Sequence, residues 1–383
     1  MEQLFLGFMA LSYKNIIMFI IGAVLIYLAV KKDYEPMLLL PIGFGAILVN
    51  IPLSSVISYE GEPGVLKVLF DAGIATELFP VLIFIAIGAM IDFTPLFKSP
   101  VMIFFGAAAQ FGIFATIIAA IALDSMFPNQ IFPNFNLKVA SAIGIIGAAD
   151  GPTSIFVAQK FAKDYLGPIT VAAYSYMSLV PIIQPPVISL LTTRKERMIR
   201  MEYKDARVSK SVKIIFPIAV TIIAGIVAPI SVPLVGLLMF GNLIRECGVL
   251  ERLSNSAQNE LANLVTLLLG VTIGSTMEAD KFLRRETLLI LVMGLVAFVF
   301  DTAGGILFAK FINLFLKSKI NPMIGAAGIS AFPMSARVVQ RIATREDPTN
   351  FILMQSISAN VSGQLGSIIA GGMILALVPL LVK

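Results

Sequence analysis

Apolar runs recur along the whole chain, and many approach the roughly 20 residues that a helix needs to cross a bilayer. They cover about 15–31, 36–52, 79–92, 100–122 and 167–191, then about 213–230, 232–246, 262–278, 286–310 and 350–372. A helix satisfies its own backbone polar groups, so such runs can sit in hydrocarbon. The alternating segments of a transmembrane barrel are absent. Composition agrees, with 58% hydrophobic and 13% charged residues and a mean hydropathy of +0.92. The expectation is an all-α polytopic protein of the cell membrane. The run from Asn15 to Val30 ends in Lys31-Lys32 without a small-residue cleavage pattern. It reads as a span rather than a removable signal peptide.

The chain has no histidine, no tryptophan and one cysteine, Cys247. This excludes disulfides and Cys/His metal sites within one chain, and catalysis that needs histidine as base or ligand. A hard cation held by oxygens remains allowed. The net charge of +5 is no nucleic-acid signal. Much of it sits between Arg194 and Lys213, with eight basic and three acidic residues. Positive-inside counting places that segment in the cytoplasm.

Two segments, about 138–163 and 320–345, are apolar but interrupted by Gly and Pro, and they resemble each other. Ile146-Gly147-Ala148-Ala149 is matched by Ile324-Gly325-Ala326-Ala327, an offset of 178. Past a three-residue insertion, Pro152, Ser154, Val157, Gln159, Lys160 and Ala162 match Pro333, Ser335, Val338, Gln340, Arg341 and Ala343. Ile87-Gly88 and Asp92 likewise match Ile273-Gly274 and Glu278. The pattern predicts a duplication: a first repeat over 1–192, a cytoplasmic basic loop over 193–213 and a second repeat over 214–383. If each interrupted segment is a re-entrant hairpin, each half makes an odd number of crossings, five, and the halves are inverted. Lys31-Lys32 then lies inside, and the acidic 59–77 loop and the C-terminus lie outside. Glu278–Arg285, with three basic residues, falls outside against the charge rule. The side of the N-terminus is left open. Inverted repeats with matching broken segments point to a transport site near the midplane.

The first hairpin carries Asp150 in GAADGPTS, where it reads both as the cap of a helix starting near Pro152 and as a cation or proton site. The second, NPMIGAAGISAFPMSAR, has no matching carboxylate. Asn321 and Ser330 offer neutral oxygens, and Gly325, Gly328 and Pro333 offer broken backbone. Arg337 reads either as a residue snorkelling to the cytoplasmic face or as the anchor of an anionic substrate, gripped in two-pronged geometry. Tyr176 in YSYMSLVPIIQPP is either a packing residue or a group that orients or relays a proton. Ser175, Ser178 and Gln184 give its helix a polar face. Asn360, Ser362 and Gln364 do the same later, and helix packing explains both sets equally well. Asp92, Glu278 and Asp301 read as boundary or structural carboxylates, and Cys247 as filler.

GAADGPTSIF, NPMIGAAGISAFPMSARVV and ANVSGQLGS together closely resemble the β subunit of the biotin-dependent sodium-translocating decarboxylases, over nearly the whole chain. These include the oxaloacetate, methylmalonyl-CoA, glutaconyl-CoA and malonate decarboxylase pumps. The resemblance implies a membrane carboxybiotin decarboxylase of the translocase class, in an elevator-like core. Carboxybiotin would arrive from the cytoplasm on a biotin carrier charged by a soluble carboxyltransferase. Its decarboxylation would drive Na⁺ outward and consume a proton. By motif match the resemblance places functional roles on Asp150, Tyr176, Asn321, Gly325, Ser330 and Arg337. The corresponding reading has Asp150, Asn321, Ser330 and Gly325 hold Na⁺, with carboxybiotin met by Arg337 and Ser330. Implied partners are a small membrane γ or δ subunit, further copies of the chain and membrane lipid. The rival reading is an elevator-type sodium-coupled carboxylate symporter using the same residues. A non-catalytic anchor has no need for two broken hairpins.

Overall fold

The computed structural model describes residues 2–126, 136–202 and 207–382, so positions 203–206 of the basic segment lie outside the described residues. After the short α1 (Glu2–Met9) come α2 (Tyr13–Lys32) and α3 (Pro36–Val49). Ser12 and Asn15 form a reciprocal capping box at the start of α2, which satisfies two otherwise orphaned donors. A two-stranded antiparallel turn, β1 (Ser58–Tyr59) with β2 (Glu62–Pro63), precedes α4 (Val65–Leu69). A π segment, Phe70–Ala75, then bends by 60° into α5 (Leu78–Met90). Next come α6 (Thr94–Lys98), α7 (Ile103–Ala109), α8 (Phe111–Met126), α9 (Leu137–Gly144), α10 (Gly151–Phe161), α11 (Leu166–Leu191) and α12 (Arg194–Arg197).

The later part of the chain runs through α13 (Lys210–Val227), α14 (Val232–Glu246) and α15 (Glu251–Ser256). A second π segment, Ala257–Leu261, leads into α16 (Ala262–Ser275). Then follow α17 (Ala279–Phe282), α18 (Arg285–Asn313), α19 (Met323–Ala326), α20 (Met334–Glu346) and α21 (Leu353–Leu381). Among the described residues, six helical stretches are long and apolar enough to cross a membrane, or seven with the bent pair counted as one span. The chain is an all-α polytopic membrane protein.

The predicted 100–122 span runs as one stretch, Pro100–Met126, interrupted at a single residue. α7 ends at Ala109 and α8 begins at Phe111, with Gln110 turning its amide back to the Gly106 carbonyl at 3.0 Å. At this step the Ile113 N–H donates to the Gln110 carbonyl at 3.2 Å, one residue short of a regular helical bond. Asp301, fully buried in the middle of α18, also accepts the Ile113 N–H, at 3.0 Å. Asp301 is therefore no boundary carboxylate; it bridges two helices inside the protein. Asp92 does sit at a boundary, accepting the Thr94 N–H at 2.8 Å, and Glu278 makes a surface pair with Lys281.

Neighbouring elements fall into two groups. One holds α2, α3, α5, α13, α14 and α16; the other holds α7–α11 and α18–α21. Close helix contact needs small residues, since hydrocarbon gives no hydrophobic drive between helices. In the first group a Cβ on Gly88 of α5 would come within 1.9 Å of the Leu238 carbonyl of α14. Gly274 of α16 meets the Ile42 carbonyl of α3 in the same way. Two asparagines pin these pairs: Asn242 of α14 donates to the Gly88 and Ile91 carbonyls, and Asn50, at the end of α3, donates to Met277 O. In the second group Gly305 of α18 and Gly325 of α19 press backbone on backbone.

Candidate functional site

Both interrupted segments fold as broken helices. In the first, Asn136 caps α9, and a 3-10 turn over Ile145–Ala148 follows. Ala149 then takes a left-handed conformation at φ 51°, costly for a residue with a Cβ. Asp150 is extended, and Gly151-Pro152 opens α10 with proline where its missing N–H costs nothing. A Cβ on Gly151 would strike the Tyr174 ring at 2.2 Å, so only glycine fits there. In the second, α19 is a single turn, residues 327–333 are irregular, and α20 resumes at Met334. The hairpins meet tip to tip: Ser330 N–H donates to the Ala148 carbonyl at 3.0 Å.

Asp150 is buried at this meeting point. As a cap it accepts the Thr153 N–H at 3.2 Å on Oδ1. Its Oδ2 accepts from Thr153 Oγ1 at 2.8 Å, Ser367 Oγ at 2.7 Å and Gln364 Nε2 at 3.2 Å. The capping and binding readings of this residue thus coexist. Among the described residues no lysine or arginine pairs with it, and no cluster of three or more Asp, Glu or Cys forms anywhere. The site is one carboxylate ringed by hydroxyls and amides. Burying such a charge is expensive unless a cation or a proton joins it. Two further buried oxygens on the neighbouring helices α11 and α21 lack a partner among the described residues. They are the Tyr174 hydroxyl and Oδ1 of Asn360, whose amide donates to Ile329 O at 2.6 Å.

A cavity of about 350 Å³ opens onto Asp150. Ala149–Pro152, Tyr174, Ser330, Phe332, Pro333 and Gln364 form one wall. Leu38, Ile83, Met90, Ala262 and Thr266 form the other, from the opposite helix group. Leu38 lies near the start of α3, shortly after Lys31-Lys32; Met90 ends α5, and Ala262 begins α16. The cavity therefore lies toward the end of these helices that carries Lys31-Lys32.

Of the other residues singled out from sequence, Ser330, Pro333 and Gln364 share this site and the rest lie outside its lining. Ser330 lines the cavity and donates its hydroxyl to Gly363 O at 3.0 Å. Gly325 is not in the lining; it makes the tight crossing with Gly305. Asn321 donates to the Arg197 and Ile199 carbonyls, each at 2.9 Å, tying the second hairpin to the basic segment. Tyr176 is buried and donates to the Leu291 carbonyl of α18, outside the cavity lining. Arg337 is exposed, with no hydrogen bond or ion pair among the described residues. Burial pushes the nearby Glu35 carboxyl up from its ordinary value, against the pull of the Arg337 guanidinium. Thr153, Tyr174 and Ser367 were not singled out from sequence. Asn360, Gln364 and Ser367 fall at i, i+4 and i+7 on α21, one helical face, which is the signal that could have found the last of them.

The family described as "Na+-transporting oxaloacetate decarboxylase beta subunit" matches residues 14–378. The chain is 46% identical to the methylmalonyl-CoA decarboxylase subunit beta of Propionigenium modestum, covering 97% of this chain and 96% of the relative. It is 47% identical to the glutaconyl-CoA decarboxylase subunit beta of Acidaminococcus fermentans, covering 97% and 95%. It is 43% identical to the oxaloacetate decarboxylase beta chain of Klebsiella pneumoniae, covering 97% and 96%. With its paired broken helices, buried carboxylate and near-complete match, the chain belongs to the β-subunit family of Na⁺-transporting decarboxylases.

Proposed function

We propose that the protein is the membrane carboxybiotin decarboxylase of a sodium pump, with Asp150 as the seat of the transported ion. The observation that carries this is a buried carboxylate without a cationic partner, held at the junction of two broken helices and open to a cavity. Na⁺ is a hard cation and takes oxygen ligands. Asp150, Thr153, Ser367 and Ser330, with the unpartnered oxygens of Asn360 and Tyr174, supply that chemistry. Asn321 and Gly325 support the second hairpin from its base and its crossing rather than from the cavity.

Carboxybiotin, presented by a carrier charged by a carboxyltransferase, approaches from the basic side. The cavity position and the 193–213 segment support a cytoplasmic assignment for that side. Arg337, uncommitted and exposed, receives the carboxylate. Decarboxylation breaks the N–C bond, releases CO₂ and places one proton on the ureido nitrogen. Tyr176 fixes α11 against α18 behind the site. Loss of the substrate's negative charge weakens the hold on Na⁺, and the ion leaves on the far side. Matching π segments, hairpins and glycine crossings in 1–192 and 214–383 support an inverted duplication, with the α7–α11 and α18–α21 group as the moving core. A small γ or δ subunit and further copies of the chain complete the complex.

The test uses the full chain in sealed liposomes with carboxylated biotin, following CO₂ release and Na⁺ movement together. Asp150→Asn is expected to lose both, by at least about 10³-fold if the charge supplies about 4 kcal/mol. Sodium-dependent turnover at the wild-type level in that variant overturns the assignment. Sodium-coupled uptake of a free carboxylate without CO₂ release makes the protein a symporter.

A further inference from the structure

The two hairpins end differently, although their sequences match there. At the end of α10, Lys160 Nζ lies 2.9 Å from Glu77 Oε1, and Gln159 Nε2 donates to the Ala75 carbonyl at 3.2 Å. Both contacts cross from the hairpin group to the bent α4–α5 segment, just after its π turn. Glu77 is mostly covered, with 15% of its side chain exposed, and its φ of 66° holds it in the left-handed region. The matching positions on α20 are Gln340 and Arg341. Gln340 instead binds its own group, through Asn350 O at 3.1 Å and Ile352 N–H at 2.8 Å. Arg341 is exposed and makes no side-chain bond among the described residues. An acid stands at a comparable place in the second half, though not at the register-matched position, which is Asn263. Glu260 lies in the second π turn, two residues before α16, as Glu77 lies just past the first π turn, one residue before α5. Glu260 is exposed and unpaired among the described residues as well.

One pair is made, while Arg341 and Glu260 both stand open. The open pair lies on the side where the Asp150 cavity separates the two groups, since Ala262 lines that cavity two residues after Glu260. We infer that the two pairs are alternating latches. Glu77–Lys160 holds the hairpin group against its neighbours while the cavity faces the basic side, and Glu260–Arg341 forms when the group has moved to open the other side. Each latch contributes a modest electrostatic bias, as expected of partly exposed ion pairs, and exchanging them keeps either end state from becoming a trap. The inference rests on the inverted-duplication reading, but not on carboxybiotin as substrate.

The experiment places cysteine pairs in a Cys247→Ser background of the full chain in sealed liposomes, with a short thiol cross-linker. Glu77→Cys with Lys160→Cys is expected to cross-link at rest and to stop Na⁺ movement until reduced. Glu260→Cys with Arg341→Cys is expected to cross-link at least several-fold faster once an imposed Na⁺ gradient drives cycling. Equal yields of the second pair with and without the gradient, including no bridge in either, overturn the proposal. So does closure of both bridges in one molecule. A second readout covers misfolding: Arg341→Glu slows transport, and adding Glu260→Lys restores it, whereas absence of restoration overturns the proposal. Because the gradient is imposed without biotin, gradient-dependent latching with no decarboxylation keeps the latches and removes the carboxybiotin reading. Decarboxylation without latching does the reverse.

Discussion

Two buried carboxylates, Asp150 and Asp301, have opposite surroundings, and this separates their roles. Asp150 gathers donors on both oxygens and faces a cavity. Asp301 receives the Ile113 N–H on Oδ1, while its Oδ2 has no partner and lies against Gly147 of the first hairpin. Asp301 serves as a brace for the α7–α8 step. Asp301→Asn, which keeps the Oδ1 acceptor, is therefore expected to melt close to wild type in detergent. Asp301→Leu removes that acceptor, leaving the Ile113 N–H only the Gln110 carbonyl at 3.2 Å, and is expected to lose about 1 kcal/mol of stability. A collapse of Asp301→Asn to the level of Asp301→Leu would show that the charge itself is needed. Tyr174 and Tyr176 give a related lesson about legibility. The tyrosine-rich stretch of α11 was visible in the sequence, but residues two apart on a helix point about 200° apart. Which of the two faces Asp150 depends on the helix's rotation, and that is set by packing on α18 and α10.

Most spans were legible at the scale of elements because hydrocarbon leaves so few backbone solutions. The hairpins were legible because Gly and Pro interrupt apolar runs that have no other use for them. The α7–α8 break was not, since Gln110 is neither glycine nor proline and the break is held by a residue nearly 200 positions away. Nor was the role of Gly325, which sequence placed at the ion and structure places at a crossing. A Cβ at Gly325 would come within 2.0 Å of the Gly305 carbonyl, backbone that cannot step aside. Gly325→Ala is thus expected to cost upwards of about 1–3 kcal/mol by overpacking, read as a lowered melting temperature and as lost turnover. Gly7→Ala, with nothing within 4 Å, is the control and is expected to be silent. A Gly325→Ala protein that melts normally yet fails to bind Na⁺ would return the glycine to the ion site.

At the scale of the whole molecule, each half lends helices to both groups, so neither half has a core of its own. Sequence pointed to a repeat but not to this exchange, because the pairing of α3 with α16 and α5 with α14 is a choice among surfaces that are all apolar. The proposed ion site likewise draws on both halves: Asp150 and Thr153 come from the first, Gln364 and Ser367 from the second. Binding there ties the halves together, so Na⁺ is expected to raise the melting temperature while K⁺ at equal ionic strength does not. At a concentration one hundred times its dissociation constant, a ligand specific to the folded state adds about 2.7 kcal/mol. Asp150→Asn is expected to abolish the shift, measured by thermal unfolding in detergent, and an undiminished shift would place the ion elsewhere. The tip-to-tip bond from Ser330 N–H to Ala148 O belongs to main chain on both sides. No side-chain replacement deletes it except proline at position 330, which has no N–H to give. Ser330→Pro is therefore the direct single substitution for loosening one hairpin against the other, and it is expected to let sodium leak passively through sealed liposomes.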